Sequence, residues 1–157
     1  MLGVAMSEQE LLRELLDLPG VRVRHYELVG QQQLNLYIES TSPAGVCPEC
    51  GQVCVGVHQV GEVQLLRDLP IWNRRCYLGY APRRFKCNCC EHTFVERLSW
   101  RESGLNYTVR YAQSVYQRTR QEPLAQVAQA EGLSEAIVQG IFERGAKKPL
   151  PSGVTQR

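Results

Sequence analysis

At 157 residues, with 43% hydrophobic and 22% charged side chains and a formal net charge of only +2, the chain suits one domain or two small ones and is too evenly mixed for wholesale disorder. No run approaches the roughly 20 apolar residues of a membrane helix. The first twenty residues lack the basic start and apolar stretch of a signal peptide, so the cytoplasm is the expected compartment and no membrane partner is expected.

Ser7-Glu8-Gln9-Glu10 reads as a capping box, with Ser7 as N-cap and Glu10 reaching back to it. Leu11, Leu12, Leu15 and Leu16 then recur at helical spacing, and Pro19-Gly20 ends that helix. Two extended runs follow. Val21, Val23 and His25 alternate with Arg22, Arg24 and Tyr26. Leu34, Leu36 and Ile38 alternate with polar partners, and Gly30-Gln31 between the runs marks a hairpin. Short strands are expected over residues 60–67 and 74–87, where Cys76 alternates with Leu78 and Tyr80 and reads as core. Residues 97–108 read as a linker into a helical C-terminal third. The segment from Gly145 to Arg157 holds Pro149 and Pro151 with no apolar period and reads as a tail or interdomain linker.

Charge is spread unevenly along this order. Residues 1–66 carry 3 basic and 8 acidic side chains, residues 67–120 carry 11 and 4, and residues 121–157 carry 4 and 4. A basic middle in a near-neutral chain suits a surface that faces a polyanion, although a solvated face would look the same.

Seven cysteines are many for a cytosolic chain, where disulfides rarely persist and clustered thiols point first to metal. Cys47-Pro48-Glu49-Cys50-Gly51 is a knuckle in which two intervening residues let both sulfurs reach one ion. Gly51 accepts the positive φ that such a turn needs. Cys87-Asn88-Cys89-Cys90 supplies a second pair, Cys87 and Cys90. Four thiolates make the closed tetrahedral shell of one structural zinc. The 36 intervening residues exceed ordinary finger spacing, so the ion must staple the two ends of an inserted β-segment, and Arg83, Arg84 and Lys86 would help to balance its charge. Cys89 competes with Cys87 or Cys90, Cys54 lies close behind the first knuckle, and His58 or His92 could replace a thiolate. Ordinary buried cysteines are the plain alternative. A redox role is disfavoured because no βαβ unit precedes either pair.

In the C-terminal third, Pro123 can open a helix. Leu124, Val127, Ala128 and Glu131 follow, then Gly132-Leu133-Ser134, then Val138, Ile141 and Phe142. This is the helix-turn-helix pattern: a small Ala128 where the second helix crosses, Gly132 in the turn, and Ser134 as cap of the recognition helix. A helix from Val109 to Gln121, striped by Tyr111, Val115 and Thr119, completes a three-helix unit. A plain helical hairpin would bury the same residues. Gly140 inside the recognition helix costs roughly 1 kcal/mol relative to alanine. Gln139 could read adenine and Arg144 a guanine or phosphate. Arg83, Arg84, Arg118, Arg120, Lys147 and Lys148 would hold the DNA backbone. The fold class is therefore α+β: an N-terminal helix and β-hairpin, a zinc-ribbon β-segment, and a helix-turn-helix unit. Residues 1–100 form the first domain, 101–145 the second and 146–157 the tail.

Cys47-Pro48-x-Cys50-Gly51, Arg67-Asp68-Leu69-Pro70, Arg83-Arg84-Phe85-x-Cys87 and Thr93-Phe94-x-Glu96-Arg97-Leu98, followed by the helix-turn-helix, together resemble the N-terminal region of ISL-three-type insertion-sequence transposases. The resemblance runs from about Leu11 to Arg144. It implies a zinc finger and helix-turn-helix that bind double-stranded DNA at the element's terminal inverted repeats. It also implies a DDE-type, ribonuclease-H-like catalytic domain that uses divalent metal. The second knuckle is more compact than in many members. The chain stops about where the catalytic domain would begin, so these residues by themselves are expected to be non-catalytic. The competing reading is a stand-alone transcriptional regulator or transposition repressor built on the same module. Helix-turn-helix proteins usually work as dimers or with a second contact region, so a homodimer is compatible with either reading.

Overall fold

A computed structural model describes residue 3 and residues 5–148. The protein is α+β, with four helices and nine strands among the described residues. The chain divides into two compact units, Met1–Val109 and Arg110–Arg157.

The first unit opens with α1 (Glu8–Leu16). Both halves of the capping box form: the Ser7 hydroxyl accepts from the Glu10 N–H, and the Ser7 N–H donates to the Glu10 carboxylate at 2.8 Å. Asp17 closes the helix in the left-handed conformation. Of the four leucines at helical spacing, Leu16 is buried and Leu12 packs partly against the core, while Leu11 and Leu15 are exposed. A helix of nine residues laid on one strand offers only a narrow stripe to cover.

Strands β1 (Val21–Val29) and β2 (Gln33–Ser40) form the expected antiparallel hairpin. A bulge between Val23 and His25 breaks the simple alternation. Val21 and Val23 point into the core, whereas His25 leaves it and stacks on Tyr37 with ring centroids 4.3 Å apart. An extra residue in one strand re-aims every side chain beyond it.

Five short elements follow: β3 (Ala44–Val46), β4 (Val53–Val55), β5 (Gln59–Val60), β6 (Gln64–Ile71) and β7 (Arg74–Tyr80). Then come β8 (Arg83–Lys86) and β9 (Thr93–Val95). The β6–β7 hairpin joins the first hairpin in a four-stranded sheet of order β1-β2-β7-β6, with β2 and β7 parallel. Leu34, Leu36, Leu66, Cys76, Leu78 and Tyr80 build the core of this sheet, closed by Leu16 and Trp100. Cys76 is fully buried there. On the opposite face, Gly79 lies directly beneath Tyr37: a Cβ at this position would stand 2.4 Å from the ring.

Residues 97–108 are not a loose connection. Trp100 is buried edge-on against Tyr80, and Tyr107 and Thr108 are buried. Arg67 exchanges backbone hydrogen bonds with Asn106 and Thr108 along the free edge of β6. The Thr108 hydroxyl donates to buried Asp68 at 2.7 Å. The Arg-Asp-Leu-Pro motif thus serves to pin the outgoing chain to the sheet.

The second unit holds α2 (Val109–Thr119), α3 (Leu124–Glu131) and α4 (Glu135–Lys147). Tyr111, Val115, Val127, Ala128, Val138 and Ile141 are its buried apolar side chains. Gly132 takes a left-handed conformation (φ 67°) and ends α3. The Ser134 side chain accepts from the Ile137 N–H and starts α4. A Cβ on Gly145 would meet the Tyr116 ring at 2.4 Å, so α4 can approach α2 only because this residue lacks one. The helix runs past residue 145 to Lys147, and the remainder of the expected tail, 149–157, lies outside the described residues.

Gly79→Ala should destabilise the four-stranded sheet by about 1–3 kcal/mol, the usual cost of overpacking. At Gly61 the nearest neighbour of a new Cβ would be 3.5 Å away, so Gly61→Ala should be nearly silent. Urea unfolding followed by near-ultraviolet circular dichroism compares the two. Equal midpoints would contradict the close packing of Tyr37 on Gly79.

Candidate metal centre and nucleic-acid interface

Two hairpins carry the cysteine pairs. Cys47 and Cys50 occupy the turn between β3 and β4. Cys87 and Cys90 occupy the turn between β8 and β9. The turns are built alike. The Cys47 N–H donates to the Gln52 carbonyl at 2.9 Å, and the Cys87 N–H donates to the His92 carbonyl at 2.8 Å. Gly51 (φ 75°) and Glu91 (φ 61°) supply the left-handed residue in each turn.

The ligand atoms of Cys47, Cys50, Cys87 and Cys90 all lie within 4.8 Å of one another. Across the two turns, the Cys47 and Cys90 sulfurs are 3.6 Å apart and those of Cys50 and Cys87 are 3.4 Å apart. Tetrahedral zinc with Zn–S bonds of about 2.3 Å requires sulfurs roughly 3.8 Å apart. The donor set therefore fits a closed zinc shell, which leaves no position for a catalytic water. Bound there, zinc supplies cross-linking and charge balance.

Backbone N–H groups are already aimed at the sulfurs. Those of Cys90 and Cys89 draw the Cys87 thiol down to about 6. The Gln52 N–H acts in the same direction on Cys50. It is outweighed by the Cys87 thiol, by burial and by the other two sulfurs, and Cys50 is pushed up to about 12. Four thiols in one small space cannot all ionise without a cation to share (like charges disfavour the second and later ionisations).

The spare sulfurs fall elsewhere. Cys54 is buried on β4 beside the cluster, where it packs with Cys47, Phe85, Cys87 and Phe94. Cys76 belongs to the main core, and Cys89 is exposed. His58 and His92 are exposed, and the sulfur cluster contains neither. The Phe85 and Phe94 rings lie 5.8 Å apart, and a Cβ on Gly45 would stand 2.9 Å from Phe85. That close approach is what lets β3 lie over the ring.

One group of residues escaped the motif reading. Glu96 accepts hydrogen bonds from Nε and Nη2 of Arg83, at 2.8 and 2.6 Å, and also from the Tyr80 hydroxyl. Burial first, then this hydrogen bond, raises the Tyr80 phenol well above its usual range. The Arg83 guanidinium also lies over the Phe85 ring. The triad ties the end of β7 to the second cysteine hairpin. Its only sequence signal is the Glu in Thr-Phe-x-Glu-Arg-Leu.

The residues expected to touch DNA are scattered differently. Arg84 is exposed on β8, while Arg83 is held by Glu96. Arg118 pairs with Glu122 at 3.0 Å and with Glu131 at 2.7 Å, and Glu131 also accepts the Tyr111 hydroxyl. Arg120 and Lys147 are exposed. On α4, Gln139 donates to Glu143 at 2.8 Å. Arg144 lies across Gly140, where a Cβ would meet its Nη1 at 3.2 Å. Lys148 is the C-cap of the helix, and Ser134 spends its hydroxyl on the N-cap.

Cys50→Ser or Cys87→Ser should abolish zinc retention, while Cys54→Ser and Cys76→Ser should leave metal content unchanged, as read by elemental analysis. Because the ligands are thiolates, zinc affinity should fall as pH falls, and uptake by metal-free protein near neutral pH should release protons into a dilute buffer. Loss of metal from Cys54→Ser with retention in Cys50→Ser would refute this ligand set.

Residues 43–90 match the family described as the zinc-finger of transposase IS204/IS1001/IS1096/IS1165. The chain is also 30% identical, over 125 residues, to the transposase for insertion sequence element IS1001 of Bordetella parapertussis. That alignment covers 78% of this chain but only 30% of the relative's length. No solved structure matches the chain at a significant level. Residues 43–90 are therefore a zinc ribbon of the ISL-three transposase type, on a chain that resembles the N-terminal region of such a transposase.

Proposed function

We propose that this chain is the DNA-end-binding part of an ISL-three-type transposase. It holds a single structural zinc on Cys47, Cys50, Cys87 and Cys90, and it recognises terminal inverted repeats through a helix-turn-helix formed by α3 and α4. The observation that carries the reading is the junction of α3 and α4. Ala128 is buried, Gly132 turns the chain left-handed, Ser134 caps α4, and Ala136, Gln139 and Glu143 stand exposed on it. In a helix-turn-helix the exposed side of the second helix enters the major groove. The zinc-ribbon match and the transposase relative support the same reading. Cleavage and joining of DNA belong, in this reading, to residues beyond those aligned here. No helix among the described residues is long and apolar enough to cross a membrane.

The ion pairs refine the division of labour. Arg83 and Arg118 act as braces, because Glu96, Glu122 and Glu131 already neutralise them. Phosphate contact rests on the exposed cations Arg84, Arg120 and Lys147. Base reading rests on α4, where Gln139 can exchange Glu143 for an adenine edge. A stand-alone repressor would use the same surfaces on the same DNA.

Arg120→Ala should weaken binding to all duplexes alike and lower the slope of log affinity against log salt by about 0.9. Gln139→Ala should spare non-specific binding and cost roughly 1–3 kcal/mol of preference for an inverted-repeat duplex over a scrambled one. Arg118→Ala should act mainly on the thermal stability of the helical unit. Salt-dependent fluorescence anisotropy on both duplexes separates these effects, and elemental analysis should find one zinc per chain. Salt-independent binding, or equal loss on both duplexes for Gln139→Ala, would sink the proposal.

A further inference from the structure

The β6–β7 hairpin ends in a feature that neither the zinc site nor the helices use. Ile71 pairs with Arg74, so Trp72 and Asn73 alone make the turn. Trp72 is 90% exposed and holds a φ of 56°. In a two-residue turn with positive φ at its first position, glycine is the preferred occupant. A tryptophan there carries backbone strain and leaves a large apolar ring in water. Among the described residues the Trp72 side chain has no hydrogen-bond or ring partner.

The surroundings are mostly cationic or amide-bearing, with Leu28 and Val29 exposed at the neighbouring end of β1. Because β2 and β7 run parallel, with Gln33 beside Arg75, the turn that opens β2 lies at the same end of the sheet as the Trp72 turn. The Arg75 N–H donates to the Gln32 carbonyl at 2.8 Å and joins the two turns. The sheet therefore ends in Gln31, Gln32, Trp72, Asn73, Arg74 and Arg75, all exposed. The sequence has no carboxylate between Asp68 and Glu91, and the side chains of Arg74 and Arg75 form no ion pair among the described residues. An exposed aromatic ring flanked by unpaired guanidiniums and side-chain amides matches a nucleic-acid backbone and base faces. Arg74 and Arg75 give the patch the charge of a phosphate-facing surface, and the ring beside them suits a base face.

We propose that this end of the four-stranded sheet is a second DNA contact. Trp72 stacks on a base at an unstacked step of the duplex, and Arg74 and Arg75 take the flanking phosphates. The inference rests on the DNA-binding reading above but not on α4, since it concerns only the first unit.

The protein carries its own reporter. Its other tryptophan, Trp100, is 5% exposed, so acrylamide quenching of tryptophan emission reads Trp72. The probe is a linear mixed-sequence DNA duplex several helical turns long, added to the zinc-loaded chain. Saturation should shield Trp72 from acrylamide. Trp72→Ala should bind the duplex about tenfold more weakly, the effect of losing one stacked base, and Trp72→Phe should recover most of that loss. The Arg74→Ala, Arg75→Ala double variant should lower the salt slope by about 1.8, for two lost phosphate contacts. Unchanged zinc content and circular dichroism in each variant exclude misfolding. Full acrylamide access to Trp72 in the saturated complex, or wild-type affinity in Trp72→Ala, would overturn the proposal. So would shielding that grows with protein concentration in the absence of DNA, which would assign the tip to a contact between chains. If Trp72 is shielded while Arg120→Ala and Gln139→Ala bind as wild type, the hairpin contact stands and the helix-turn-helix reading falls. If the wild-type chain binds no duplex, both fall.

Discussion

Four sulfurs converging within 4.8 Å impose the constraint on which the ribbon depends. Its hydrophobic cluster is small: two phenylalanines packed with Cys47, Cys54 and Cys87. The outward valines of β3 and β4, Val46, Val53 and Val55, are exposed. Burial of this size cannot hold three short strands and a two-stranded ribbon against chain entropy. A divalent ion can, because in small zinc domains metal binding is itself folding free energy, of order 10–16 kcal/mol in zinc-finger peptides. It would also offset the repulsion that otherwise prevents the four thiols from ionising together.

The same constraint accounts for the long spacing between the knuckles. The intervening chain contains β6 and β7, and these belong to the four-stranded sheet rather than to the ribbon. An ion held by the four sulfurs would close a loop around a hairpin that has its own core in Leu66, Cys76, Leu78 and Tyr80. Tyr80, Arg83 and Glu96 then carry order from that core into the second cysteine hairpin by charge-assisted hydrogen bonds, the strong kind. The helical unit uses one carboxylate in a similar way. Glu131 accepts from Tyr111 and Arg118 and fixes the end of α3 against α2.

Pairing decides what the uneven charge is for. Residues 67–120 are basic by count, yet two of their arginines face carboxylates and serve the fold. The exposed cations of that stretch that pair with no carboxylate among the described residues are Arg74, Arg75, Arg84, Lys86, Arg97 and Arg120, and the proposed DNA contacts would draw on these. Exposed charges of this kind stay hydrated, so any contact they made with phosphate would be sensitive to salt.

Much of this protein could be read from local sequence. The capping box at Ser7, the first β-hairpin, the two cysteine turns, the left-handed Gly132 and the Ser134 cap each depend on residues a few positions apart, so spacing alone determines them. The burial of Cys76, Val115 and Val138 followed from periodicity for the same reason. What only the tertiary structure decided involves residues far apart in the chain. The bulge after Val23 turned His25 onto Tyr37. Thr108 found Asp68 and converted a supposed linker into part of the sheet. Glu96 and Glu131 claimed Arg83 and Arg118, and Gly145 proved to be needed for the approach of Tyr116. The parallel pairing of β2 with β7 brought the Gln31–Gln32 turn to Trp72. Composition counts charges and spacing places ligands, but neither states which carboxylate stands within 3 Å of which guanidinium, and at that range the choice between brace and binding site is made.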